Sequence, residues 1–211
     1  MNQLRRFKID PSCVFCESFG DLAYVRSRHT VTGNPTIVDS PWGKAMHFDG
    51  ANDYVTFDSA LERALRFDSG SQDFSIVMYV KPEAIDNFIL CKWDGVEDGW
   101  MLYSHSGSGI GFLLNHDYSY TADNTFVVNN WYCVVVSVVR ASSITPYING
   151  INTGVIHDPA GESMATTANV RIGDSTAGAG GKFTGSIHSL IAYNRALSLQ
   201  EAINFHNGGA F

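Results

Sequence analysis

The chain is short of charge, short of positive charge in particular, and free of long apolar runs. Each shortage removes a class of protein. Only 17% of the 211 residues are charged, against 45% hydrophobic, which is not the composition that keeps a chain unfolded. No apolar stretch approaches the roughly 18 residues that a membrane-spanning helix requires, so membrane insertion is not expected. Fourteen Lys and Arg stand against 21 Asp and Glu, a formal net charge of −7, and such a surface repels polyanions, which makes nucleic acid a poor partner. The opening residues, MNQLRRFKIDPSCVFC, lack the continuous apolar core and small-residue cleavage site of a signal peptide. With Met1 at the start, this favours synthesis and assembly in a cytoplasm.

Cysteine is sparse as well. Cys13 and Cys16 form the single Cys-x-x-Cys pair, and a zinc site would need two more ligands. Cys91 and Cys133 sit in apolar runs with no Cys or His at ligand spacing. In an extended strand Cys13 and Cys16 point to opposite faces, so four reduced thiols are expected.

What is abundant is turn and strand material: 20 Gly, 13 Phe and 9 Tyr, set among many Val and Ile. Strand signals recur every eight to fifteen residues, at 45–48, 54–57, 74–82, 87–92, 100–104, 110–115, 131–140, 144–148, 169–173 and 183–193. That regular punctuation predicts an all-β, antiparallel β-sandwich, and a length of 211 residues suits one core. WYCVVVSVVR, from Trp131, is apolar on both alternating faces and should lie mid-sheet. Asn149-Gly150 predicts a type I′ hairpin turn. One short C-terminal helix is read at 197–207, where Ser198 and Glu201 stand at capping-box spacing, and a helical turn at 59–65. The Gly-rich stretch from Asp174 reads as a loop, since no helix follows it.

Several segments in order resemble the concanavalin A-like superfamily, and its laminin G-like branch in particular. They are KAMHFDGANDYVTF from Lys44, QDFSIVMYVKP from Gln72, ILCKWDGVEDGWMLY from Ile89 and NNWYCVVVSVVR from Asn129. PYINGINTG from Pro146, NVRIGDS from Asn169 and FTGSIHSLIAYNRALSLQEAINFHN from Phe183 complete the set. The resemblance implies a jelly roll over residues 12–211, with Trp131 and Phe74 in its core and residues 1–11 as an N-terminal arm. It implies a carbohydrate- or protein-binding module. Many relatives hold a structural calcium ion through an Asp in the final Gly-x-Ile-Asp strand. Here that position is His188, a poor ligand for a hard cation, which puts the site in doubt and leaves Asp49 and Asp53 as the candidate calcium ligands, although Asp-Gly and Asn-Asp are also ordinary turn chemistry.

The candidate binding residues are Trp93 with Asp94, and Asn115, His116, Asp117, Tyr118 and Tyr120. They combine rings that can cover a sugar's apolar face with polar groups that can read its hydroxyls, on loops expected at one rim or edge of the sandwich. The same aromatics suit a core cap or a contact with a second copy of the chain. The strand pattern Glu-x-Asp-x-x-Glu, which supplies the paired carboxylates of the superfamily's glucanases, is missing, and no catalytic role is expected. The expected function is therefore non-enzymatic binding on a larger assembly, such as a decoration or attachment protein on a phage virion. Capsid proteins and surface glycans or proteins would be its partners. The alternative is a secreted, extracellular lectin or carbohydrate-binding module of a polysaccharide-active enzyme.

Overall fold

The structure, a computed structural model, describes residues 10–58, 62–67, 71–93, 99–107, 109–114, 117–121, 124–154, 164, 166–175 and 181–208, with the main chain alone for 117–120. Two antiparallel sheets face each other. The first runs β13 (Ile151–Asn152), β12 (Ser143–Ile148), β11 (Tyr132–Val139), β6 (Phe74–Pro82), β16 (Thr184–Tyr193), β4 (Gly43–Asp49), β3 (Thr36–Ser40), with β1 (Cys13–Ser18) also on β16. The second runs β10 (Asp117–Tyr120), β9 (Gly109–Leu114), β8 (Gly99–His105), β7 (Asn87–Trp93), β14 (Arg171–Ile172), β5 (Tyr54–Phe57), β2 (His29–Thr32). The short β15 (Gly181–Lys182) joins β7 in parallel.

Alternation explains the core. Phe74, Ile76, Met78 and Val80 of β6 and Val134, Val136 and Val138 of β11 point inward against Leu90, Trp100, Leu102, Phe112 and Leu114 of the second sheet. The intervening residues are apolar too. Val77, Tyr79, Cys133 and Val135 form a second cluster on the outer face with Leu197, Ala202 and Phe205, the last two from helix α2 (Leu199–His206). WYCVVVSVVR is apolar on both sides because β11 is sandwiched between the core and this helix. Asn149 and Gly150 take φ of 53° and 75°, the positive pair that a type I′ turn demands. The Ser198–Glu201 capping box of α2 is present.

Three sequence expectations give way. A seven-residue helix, α1 (Leu22–Arg28), is capped by Asp21 and buries only Val25, too little apolar periodicity to read in advance. Trp131 is not a core residue: it stands half-buried just before β11, edge-on to Trp42, whereas Phe74 is fully buried as expected. Cys13 and Cys16 do not face opposite ways. A bulge shifts the register, so that Cys13 pairs with Tyr193 and Cys16 with Ile191, and both thiols pack on the outer-face cluster. One extra residue cancels the period of two. All four cysteines are unbridged, and burial pushes the Cys133 thiol up to about 12.

The segment after β16 is pinned by charge. Arg195 donates to Asp10 Oδ2 (2.8 Å), Ser12 Oγ (2.8 Å) and Glu201. Asp10 thus belongs to the folded unit rather than to a free arm. Its carboxyl is held below the usual range by the Ser12 hydroxyl, against a smaller effect of burial, with help from Arg195. Glu201 is pulled up by burial but more than compensated by Arg195 and Ser198, so it too is lowered. Lowered carboxylates contribute stability above their unfolded values of about 3.9 and 4.3, and that contribution vanishes as pH falls through the folded values. Arg195→Met is expected to cost about 2 kcal/mol at pH 7. In urea titrations the gap between wild type and variant should close between about pH 5 and pH 2; a gap independent of pH would refute the assignment.

Candidate functional site

Trp93 is on a strand rather than a loop. It ends β7, opposite Gly99, and packs with Phe88 and Tyr103 on a floor of Cys91, Met101 and Leu113. This is the outer face of the second sheet, since the alternate residues Leu90, Trp100 and Leu102 enter the core. The rings of Phe88, Trp93 and Tyr103 are half-buried. Gly111 makes room for one of them: a Cβ there would lie 2.4 Å from Tyr103 Cζ. The neighbouring Lys92 takes the inward register. It is fully buried, with Nζ donating to Thr166 O (2.8 Å).

Asp117, Tyr118 and Tyr120 are strand residues as well, in the edge strand β10. The register sets Tyr118 opposite Leu113 and Tyr120 opposite Gly111, with β9 and β8 lying between β10 and β7 on the same sheet. Asp94, Asn115 and His116 lie outside the described residues. Trp93 and Tyr118 therefore belong to one sheet, although they are 25 positions apart in the sequence.

Asp49 and Asp53 form a turn brace. Asp49 Oδ1 accepts from Ala51 N (2.8 Å) and Asn52 N (3.2 Å), and these main-chain bonds, chiefly that from Ala51, lower its carboxyl despite some desolvation. Asp53 is buried and accepts from Asn34 N (2.7 Å) and Asp49 N (3.2 Å). Both carboxylates are turned toward main-chain N–H groups, and among the described residues no three His, Cys, Asp or Glu come together as a metal cluster.

A second aromatic group, missed in the sequence, occupies the outer face of the first sheet. Trp42, at the tip of the β3–β4 hairpin, lies 4.5 Å from the Tyr79 ring, 5.8 Å from Trp131 at an interplanar angle of 88°, and 6.1 Å from His188. Residues 42, 79, 131 and 188 come from the neighbouring strands β4, β6, β11 and β16 or their ends. His188 is the extra residue of a bulge, between the pairs Ile187–Val80 and Ser189–Tyr79. Nothing local in the sequence marks such a group. The one hint was His188 standing where relatives carry Asp.

These features define a class: a two-sheet antiparallel jelly roll with partly exposed aromatic rings on its outer faces. The laminin G 3 family model of the concanavalin A-like lectin/glucanases superfamily matches residues 49–202, and the chain belongs to that superfamily. Among solved structures it is similar to the binding domain of Paraclostridial Mosquitocidal Protein 1 (16% identity, TM-score 0.69, 93% of this chain and 52% of that one). It is similar also to the receptor binding domain of botulinum neurotoxin C/D mosaic serotype (14%, TM-score 0.70, 93% and 51%). A third is Domain 4 of AbnA, a GH43 extracellular arabinanase from Geobacillus stearothermophilus, in complex with arabinotriose (15%, TM-score 0.66, 92% and 98%). The chain spans about half the length of the toxin domains. At these identities the likeness is one of fold. No curated protein matches in sequence. No helix among the described residues is long and apolar enough to cross a membrane.

Proposed function

We propose that the chain is a non-enzymatic glycan-binding jelly roll carried on a larger assembly, with its binding surface on the β7–β10 side of the second sheet. The observation that carries this reading is the set of half-buried rings of Phe88, Trp93 and Tyr103 on one sheet face. Aromatic faces of this kind bury a sugar's C–H surface at little entropic cost. The carboxylate pair of a glycosidase is not encoded in the glucanase pattern, which supports binding without turnover.

A virion surface, as a decoration or attachment protein, is the assembly we favour. The segment 1–9, with Leu4 and Phe7 beside Arg5, Arg6 and Lys8, supplies apolar and basic contacts for anchoring ahead of the fold. The second reading is a module of a polysaccharide-active enzyme, favoured by the match over nearly the whole of the arabinanase domain, which was solved with arabinotriose.

Trp93→Ala with Tyr118→Ala is expected to weaken binding on a glycan array by about tenfold or more. Deleting residues 1–9 should leave both glycan binding and the melting temperature nearly unchanged while weakening recovery in a particle fraction. A double variant that binds like wild type would move the surface elsewhere, and a deletion that unfolds the domain would refute the separate anchoring role.

A further inference from the structure

We propose that the Trp42–Trp131–His188 group on the opposite sheet is a second carbohydrate site, which takes a neutral hexopyranose or pentofuranose unit of a glycan. This rests on the reading of the domain as a glycan binder, and adds a site on the other face of the sandwich.

Three observations converge. Two half-buried indoles stand at 88° to each other, so together they form a corner rather than a stacked pair, with the buried Tyr79 ring beneath Trp42. Tyr79 is itself spent, its hydroxyl donating to Phe205 O (2.7 Å), and serves as a rigid floor.

The polar atoms of the corner are unspent. Among the described residues neither indole Nε1 has a hydrogen-bond partner, and neither is sealed from solvent. His188 adds the opposite polarity. Its Nδ1 lies 2.8 Å from Lys44 O, and because a carbonyl can only accept, Nδ1 carries the proton. Nε2 of the neutral ring is then a fixed acceptor, and it too is without a protein partner and open. Burial keeps the ring neutral by lowering its pKa, against a smaller opposing effect of the Lys44 carbonyl.

The local charge selects the ligand. The lysines around the corner each have a carboxylate of their own: Lys44 meets Asp39 at 2.6 Å on the exposed β3–β4 hairpin, and Lys81, next along β6 on the face of Tyr79, meets Glu83 at 3.1 Å, where His47 Nε2 also lies 3.1 Å away. No net charge is offered to an acidic sugar. A cage for a quaternary ammonium would need rings alone, whereas this corner combines two donors and an acceptor with apolar walls, which is what a neutral sugar ring with hydroxyls requires.

The test uses the indole N–H signals of the full chain, whose four tryptophans are Trp42, Trp93, Trp100 and Trp131. Arabinotriose, cellotriose, mannotriose and maltotriose are titrated in turn, with tetramethylammonium as a separate arm. The expected result is that at least one sugar shifts the Trp42 and Trp131 signals, that the buried Trp100 signal stays still, and that Trp42→Ala weakens this response about tenfold. His188→Phe, which keeps a ring but removes the acceptor, should weaken it as well. Because the signals are read in the unmodified chain, misfolding of a variant does not blunt the test. Shifts confined to Trp93 would overturn this site and leave the glycan-binding reading standing. Shifts with tetramethylammonium alone would also overturn it. No response to any sugar, here or on the array, would overturn both.

Discussion

Phe74→Ala is expected to cost about 4 kcal/mol of unfolding free energy, the largest effect of any single change considered. Phe74 is fully buried on β6. Its ring is stacked on Phe67 at 4.0 Å and an interplanar angle of 7°, and touches Phe112 of the second sheet at 6.3 Å. Phe67 and Phe112 both contact Trp100, so Phe74 is one corner of an aromatic cluster that spans the gap between the sheets. Removing it leaves a cavity that flat, closely packed rings cannot collapse to fill. For a domain of this size the loss corresponds to a fall in melting temperature of about 12 °C, measurable by calorimetry. Phe74→Leu should recover more than half of it. A fall of only a few degrees for the alanine variant would mean that the sheets are held together elsewhere.

The second large effect belongs to a carboxylate. Asp53→Ala is expected to destabilise by about 3 kcal/mol, because two main-chain N–H groups lose a charged acceptor in a place that water reaches poorly. The consequence is greater than a local turn defect. Asn34 lies where the chain passes from β2 in the second sheet to β3 in the first, and Asp49 lies where it returns from β4 to β5. One side chain therefore ties two sheet-crossing corners together, through bonds of 2.7 and 3.2 Å. Asp53→Asn retains one acceptor oxygen and should fall between wild type and alanine. A carboxylate that serves as a main-chain brace is expected to be indifferent to metal: millimolar calcium or a chelator should leave the wild-type transition where it is. A clear calcium-dependent rise that Asp53→Ala abolishes would show that the carboxylate holds an ion.

Strand positions followed from alternation and turn chemistry. The stretch from Phe74 to Pro82, the doubly apolar β11 and the Asn149-Gly150 turn are local properties, each written in fewer than a dozen neighbouring residues. The capping box of α2 is equally local. The superfamily followed from several such segments in their order. The elements that escaped are β1, β2, β3, β10, α1 and the two-residue β13 and β15, which carry no apolar alternation clear enough to mark a period.

By itself, then, the sequence determined the class of fold, the two-faced burial of the central strands and the absence of the glucanase carboxylate pattern, because these depend on neighbours along the chain. Only the tertiary structure decided which side chains meet. It carried Trp93 from an expected loop to a sheet face, turned Cys16 to the side of Cys13 through one bulged residue, took Trp131 out of the core, and spent Asp49 and Asp53 on main-chain N–H groups. It also assembled Trp42, Tyr79, Trp131 and His188 from four neighbouring strands or their ends. The physical reason is that register and bulges set the face each side chain takes, and a shift of a single residue reverses it.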